Sequence, residues 1–229
     1  HWRSNEAHIG RLYRYVTLIL GMKPAQHEYK VMGLAPYGTE YHGKRSLEFF
    51  RTINKVVGTE IRDNRAVPDL YYSVRDALEG ERFDGIAWGV QSWLEEVVCE
   101  WVANNCEAHE IDTVIFSGGV AQNIKACQRL VELAQVRRFW VGPAAGDGSL
   151  GIGAAWLACR QLAPDIEVKG LSHVYLGTEF DSGEVHRAIE RHKLHSKFKL
   201  IKVAGPEQAA GWLAQGHIVA RFSGQMEFG

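Results

Sequence analysis

Residues 112–120 read DTVIFSGGV and residues 137–156 read RRFWVGPAAGDGSLGIGAAW. Each begins as a short apolar run rich in β-branched and aromatic residues, ends in glycines, and gives way to helical spacing. VAQNIKACQRLVELA (120–134) fills the interval, and SLGIGAAWLACRQLA (149–163) follows the second run. Strand, helix, strand, helix at this interval predicts parallel β-α-β units and an α/β fold. Open parallel sheets place ligands at the carboxyl ends of their strands. Ser117-Gly118-Gly119 and Gly146-Asp147-Gly148 occupy the two strand-to-helix crossings, so both are expected to face one cleft.

Gly146 to Gly151 spells G-x-G-x-x-G, a dinucleotide fingerprint when its first glycine directly ends a strand. Here Gly142, Pro143, Ala144 and Ala145 intervene after Val141, and the candidate ribose-binding acids Asp165 and Glu167 sit in a Pro-containing loop. The spacing argues against a dinucleotide. A turn followed by a small-residue helix face (Gly151, Gly153, Ala154, Ala155) packed on the sheet is expected instead. Asp147 then has two readings, an N-cap accepting backbone N–H bonds or a metal ligand at the mouth of the cleft; residue chemistry alone favours the cap. Gly118 and Gly119 let backbone approach a ligand without a Cβ in the way, although a plain tight turn explains them equally. No G-x-x-x-x-G-K-[ST] occurs, which excludes a P-loop.

Upstream, Ile9, Leu12, Tyr13, Val16 and Leu20 recur at helical spacing, with Gly21 as a stop. HEYKVMGLAPYG (27–38) is a short helix entering a Gly/Pro turn. In it Glu28 and Lys30 would offer a carboxylate and a cation beside the backbone turn, or form a solvated helix end. Residues 43–57 read as helix and 58–69 as polar loop. Phe83 to Ala108 is a long amphipathic helix, with Ile86, Val90, Trp93, Leu94, Val97, Val98, Trp101 and Val102 on its apolar positions. After a composition break at Pro164 to Ser172, a loop and helix (173–192) precede strand FKLIKV (198–203), helix EQAAGWLAQG (207–216) and strand HIVARF (217–222). This places a boundary near 165.

The composition is that of a globular protein, 46% hydrophobic and 23% charged. With 26 basic and 27 acidic residues, no global field draws the chain to nucleic acid or anionic lipid. Neither is expected as a partner on that ground, and no run approaches the roughly 18 apolar residues of a membrane helix, so no membrane is expected either. Cys99, Cys106, Cys127 and Cys159 are scattered without C-x-x-C, which suggests buried, reduced thiols and a cytoplasmic setting. The ten histidines contain no H-E-x-x-H. The chain opens at His1-Trp2-Arg3 and closes at FSGQMEFG, and reads as a segment of something longer.

Three segments taken together, HEYKVMGLAPYG, FSGGVAQNIKA…RFWVGPAAGDGSLGIGAAW and ARFSGQMEFG, resemble the nodulation-type O-carbamoyltransferases in order and spacing. The resemblance implies an actin/hexokinase-like (ribonuclease H-like) ATPase fold, of which residues 1–165 are the C-terminal half. Residues 166–229 would hold the linker and the start of a smaller α/β carbamoyl-adenylate-forming domain. It implies ATP and a divalent metal, iron or magnesium, as cofactors. Its reaction moves a carbamoyl group from carbamoyl phosphate, through carbamoyl adenylate, to a hydroxyl of a sugar or natural-product acceptor. Gly118, Gly119, Val120 and Asn123 match the nucleotide-binding motif, and Glu28, Lys30 and Gly33 the segment closing over the nucleotide. Asp147 matches the metal-binding acid, which reverses the preference for a cap.

Gly224 to Gly229 match the start of a motif that continues GPRALG in the family, with Gln225 where many relatives carry Arg. The family's metal-binding histidines lie upstream of the region matched, so the chain by itself is expected to be inactive. A homodimer is compatible with the sequence. The hydrogenase-maturation carbamoyltransferases share SGGV-x-x-N and DG, but MGLAPYG and MEFG favour the nodulation type. From outside that class, a non-catalytic ATPase-like nucleotide-binding module also fits; an actin-like sugar kinase leaves MEFG unexplained.

Overall fold

A computed structural model describes residues 9–63, 69–201, 203 and 205–228. The architecture is mixed α/β, and contacts divide the chain into two compact units, His1–Leu162 and Ala163–Gly229.

The first unit is built on α5 (Phe83–His109), a helix of 27 residues and so about 40 Å long. Its length reflects how much of it is buried. Ile86, Val90, Trp93, Leu94, Val97 and Val98 have almost no exposed surface, and Trp93 lies against Phe50 with ring centroids 5.6 Å apart. The helix ends where Glu110 takes a left-handed conformation (φ 54°) and Ile111 N–H bonds back to the Cys106 carbonyl, a C-terminal closure of the Schellman kind. Around it lie α1 (Ile9–Ile19), α2 (Glu28–Leu34), α3 (Glu40–Ile53) and α4 (Leu70–Leu78), which contribute Leu12, Val16, Val31, Phe50 and Val74 to one core.

The contact between α3 and α5 is unusually close. A Cβ on Gly85 would run into the His42 carbonyl, and one on Gly43 into the Trp88 ring and the Gly85 carbonyl. On Gly89 it would stand 2.7 Å from Ser46 Cβ and 2.9 Å from Leu47 N. Gly38, after the 3-10 turn Ala35–Tyr37, meets the Asp84 carbonyl in the same way. Glycine and serine at these positions let two backbones touch. The Ser46 hydroxyl is buried with no hydrogen-bond partner among the described residues, so serine serves there by size.

Two expectations for this stretch are corrected. The helix predicted over 43–57 stops at Ile53, and Asn54–Val57 forms β1, paired antiparallel with β2 (Glu60–Asp63) in the supposed loop. The valines favour a pleated strand, and Gly58 (φ 59°) makes the turn. The turn is held by α5, as Trp101 Nε1 and Asn105 Nδ2 each donate to the Thr59 carbonyl at 3.0 Å.

β3 (Thr113–Phe116) and β4 (Arg138–Val141) pair in parallel, Thr113 opposite Arg138 through Phe116 opposite Val141, as the opening stretch predicted. The helix expected from 120 begins later: Gly119–Gln122 is a 3-10 turn, and α6 (Ile124–Val131) starts where the Asn123 side chain accepts from Ala126 N–H at 3.0 Å. α7 (Leu150–Leu162) forms, but the expected packing of its small-residue face on the sheet does not. None of its residues is buried, a Cβ on Gly151 or Gly153 would meet nothing within 4 Å beyond the helix itself, and Leu157 and Leu162 are exposed. A small face permits close packing but does not supply the surface to pack on. Cys106 is buried as expected, whereas Cys159, on α7, is exposed.

In the second unit, α8 (Ser182–Arg191) carries a full capping box between Asp181 and Glu184, and α9 (Pro206–Ala214) opens with proline. The strands expected at 198–203 and 217–222 form no ladder among the described residues. A strand exists only through its partner, and Ile218 and Phe222 are exposed. Instead the terminal segment pairs with the stretch read as loop: Tyr175 bridges Glu227, and Gly177 N–H bonds to the Met226 carbonyl at 2.9 Å. Gly224 has a positive φ of 74°, and Gly229 lies outside the described residues.

Adding a methyl group at Gly89 forces backbone against backbone, so Gly89→Ala is expected to lower stability by about 1–3 kcal/mol. Ser46→Ala removes an unpartnered hydroxyl and should raise it by about 1 kcal/mol. Gly33→Ala, in α2 with nothing within 4 Å, should gain up to about 1 kcal/mol. Urea midpoints at constant slope measure all three, and an unchanged Gly89→Ala midpoint contradicts the close crossing.

Candidate functional site

The two glycine crossings meet. Gly118 N–H donates to the Ala145 carbonyl at 2.7 Å, tying the SGG turn to the GPAAGDG loop. Gly118 sits at φ 102°, where a side chain would be strained. The second loop closes on itself: Ala144 adopts φ 45°, and both the Ser149 N–H and its hydroxyl bond to the Ala144 carbonyl. A Cβ on Gly148 would stand 2.9 Å from the Ala144 methyl, and one on Gly146 3.3 Å from the Gln122 amide. These glycines therefore serve the turn and its packing. Asp147 opens the 3-10 turn Asp147–Ser149, but its N-cap is Gly146 and no side-chain cap forms, so the N-cap reading is set aside.

A cavity of about 580 Å³ lies between these crossings and the N-terminal helices. The 3-10 turn gives it Gly119, Val120, Gln122 and Asn123, and the loop gives Gly146 and Asp147. α2 supplies Glu28, Tyr29 and Met32, α5 supplies Leu94, and α1 supplies Gly10, Arg11, Tyr13 and Arg14. Of the residues singled out in the sequence, Glu28, Gly119, Val120, Asn123 and Asp147 come together here. Lys30, Gly33 and Gly118 do not line the cavity. Lys30 Nζ is 3.3 Å from His27 Nε2 and lies over the Tyr29 ring, Gly33 is on the exposed surface of α2, and Gly118 acts through its backbone bond.

Beneath the cavity lies a buried polar network that joins three helices. Tyr13 Oη donates to Gln91 Oε1 at 2.9 Å, and Asn123 Nδ2 donates to the same oxygen at 2.8 Å. Gln91 Nε2 donates to Asn123 Oδ1 at 3.1 Å and to Glu95 Oε1 at 2.7 Å. Asn123 thus caps α6 and fixes α6 to α5 with one side chain. Burial pushes the Tyr13 phenol well above its ordinary value; the Asn123 amide opposes this, and the charges of Glu95 and Glu28 add to it. Glu28 itself accepts from Ala25 N–H at 2.6 Å, holding a turn in which Ala25 has φ 63°. The Asp147 carboxylate is exposed and makes no hydrogen bond or ion pair among the described residues.

Tyr13, Gln91, Arg11 and Arg14 were missed in the sequence. Gln91 left little signal, since Ser92 follows it and Glu95 lies one turn on, and only its burial beside Val90 and Trp93 sets it apart. In the second unit His173, Tyr175, Glu179, Arg221 and Gln225 surround a separate open depression of about 610 Å³. No described helix is long and apolar enough to cross a membrane.

A family model described as "Carbamoyltransferase N-terminus" matches residues 1–156. An uncharacterized protein of Methanocaldococcus jannaschii is 28% identical over 97% of this chain and 38% of its own length. One from Synechocystis sp. is 29% identical over 100% and 41% respectively. The nodulation protein NolNO of Sinorhizobium fredii is 29% identical over 96% and 33%. The chain thus spans about two fifths or less of the length of these relatives.

Gln91→Leu leaves the Tyr13 and Asn123 donors unpaired, with an expected loss of roughly 2–4 kcal/mol by chemical denaturation. Tyr13 adds a pH dependence. Above about pH 10 the unfolded phenol ionises while the folded one stays neutral, so stability falls as pH rises through that range. Tyr13→Phe should flatten this fall. The thiols of Cys99 and Cys127, also raised by burial, act alike in both proteins, so the difference isolates Tyr13. Parallel alkaline slopes in wild type and variant would contradict the network.

Proposed function

The chain belongs to the carbamoyltransferase N-terminus family, and from that premise we propose that it is part of an ATP-dependent O-carbamoyltransferase whose nucleotide site is the cavity beneath the two glycine crossings. In this reading the first unit is half of an actin/hexokinase-like ATPase domain, and residues 166–229 begin the carbamoyl-adenylate-forming domain. The observation that carries it is the convergence of Glu28, Gly119, Val120, Asn123 and Asp147, from three separate stretches of sequence, on one cavity. Its volume falls within the range of about 300–1,000 Å³ usual for small-molecule sites.

The reaction assigned to the whole protein transfers a carbamoyl group from carbamoyl phosphate, by way of carbamoyl adenylate, to an alcohol. In the last step the acceptor oxygen bonds to the carbamoyl carbon while the bond from that carbon to the adenylate oxygen breaks. AMP leaves with the electron pair, and the hydroxyl proton passes to a base. The part assigned to this chain is positional: the glycine turns bring backbone close to the nucleotide, and the Tyr13–Gln91–Asn123 network keeps the floor of the cavity rigid.

The residues present suit magnesium carried by the nucleotide. That ion takes one or two carboxylates and completes its shell with phosphate and water oxygens, and Asp147 offers a carboxylate with no partner among the described residues. When bound, the ion would neutralise phosphate charge. No group of three His, Cys, Asp or Glu among the described residues could hold a metal, so these residues by themselves do not complete a protein-held iron centre. A second reading, in which this chain binds nucleotide without itself catalysing transfer, rests on the same cavity.

Calorimetry with ADP tests the assignment. Magnesium is expected to tighten ADP binding about tenfold, on the scale of one charge-assisted contact. Asp147→Asn should lose that gain while keeping the metal-free affinity. A chain that does not bind ADP, or a magnesium gain that survives in the variant, sinks the assignment. The 229-residue chain by itself is expected to give no carbamoyl transfer to any alcohol.

A further inference from the structure

Most arginines described in the first unit are ion-paired. Arg45 binds Glu81, Arg51 Glu96, Arg62 Glu60, Arg75 Asp76, Arg82 Asp84, Arg129 Glu132 and Arg137 Asp112. Arg138 donates to the Thr113 hydroxyl. Arg11 and Arg14 depart from this pattern. Neither has a carboxylate or hydrogen-bond partner among the described residues, and both are exposed. Both line the 580 Å³ cavity. Arg160 also has no partner among the described residues, but it lies on α7 and does not line that cavity.

Position makes the pair more than two solvated side chains. Arg11 and Arg14 are three residues apart on α1 and therefore neighbours on one edge of the helix. That edge is fixed on both sides. Tyr13, between them, is anchored in the buried network, and α1 packs on the 3-10 turn, where a Cβ on Gly10 would make ordinary van der Waals contact with Val120 Cγ2 at 3.5 Å. The other charged groups lining the cavity are Glu28, which already accepts from Ala25 N–H, and Asp147. Neither lies within ion-pair distance of the arginines, so both guanidinium groups keep their donor forks for a ligand. Such forks match phosphate oxygens in pairs.

We propose that Arg11 and Arg14 form the anion-holding side of the cavity and bind the phosphate groups of its ligand. The inference rests on the nucleotide reading for the identity of the ligand, though not for its charge. It moves the cation from Lys30, where the residue chemistry of 27–38 offered one, to α1.

The test is equilibrium binding of ADP, adenosine and inorganic pyrophosphate to the 229-residue chain, in chelator so that Asp147 and magnesium play no part. Wild type is compared with Arg11→Gln, Arg14→Gln, the double variant and Arg160→Gln. Each cleft substitution should weaken ADP about tenfold, and the double variant about a hundredfold, on the scale of one charged hydrogen bond per arginine. Adenosine affinity and the thermal midpoint should not move, and Arg160→Gln should match wild type. Pyrophosphate that binds and is weakened in step shows that phosphate alone is recognised. Pyrophosphate that does not bind shows that the nucleoside is needed as well.

ADP held equally by wild type and the double variant overturns the inference and leaves the nucleotide reading standing. Pyrophosphate binding lost in the double variant, with no binding of ADP or adenosine to wild type, overturns the nucleotide reading and keeps the anion site. A wild-type chain that binds none of the three overturns both.

Discussion

The first unit depends on two helices touching through their backbones. Gly43 and Ser46 on α3 face Gly85 and Gly89 on α5, and there is no room for another carbon between them. Dispersion at such a contact is strong because many atoms approach their optimal separation at once. The contact also fixes where α5 lies. Since α5 carries Gln91, Leu94 and Glu95, the glycine crossing sets the height of the cavity floor, although it contributes no atom to the cavity wall. The hairpin β1–β2, hung from Trp101 and Asn105, takes its place from the same helix.

Elements whose burial repeats along their own sequence were legible in advance. α1 and α5 show their apolar spacing, and the parallel pairing of β3 with β4 follows from two apolar runs separated by a helix. Features decided by a distant partner were not. Gly85 and Gly89 look like weak points in a helix until α3 is placed beside them, and the strand at 54–57 continues a helical run until Asn54 finds Asp63. The apolar face of α7 had the composition of a packed helix and is exposed. In each case composition allowed a contact that only three-dimensional placement could grant or withhold.

The same division holds at the cavity. Glycines and an acid at strand ends could be expected to converge, because topology alone sends both crossings to one edge, and Gly119 and Asp147 do line one cavity. The opposite wall could not be read this way. Arg11 and Arg14 occupy ordinary polar positions of an amphipathic helix, and only the absence of partners among the described residues around them, a spatial fact, distinguishes them from their paired counterparts. Asn123 shows the reverse case. A residue matched to nucleotide binding also caps α6 and is bonded to Gln91, so any effect of changing it would mix architecture with recognition.

The hydrogen bond from Gly118 to Ala145 turns the spacer GPAA into a measure of length. It is the backbone bond between the two crossings, and the four residues from Gly142 to Ala145 span the interval between the end of β4 and that bond. Shortening or lengthening the spacer by one residue would keep every side chain in the cavity wall, yet shift Asp147 in phase and height relative to Gly119. The chemistry available at this edge is therefore encoded in a count of residues as much as in their identities.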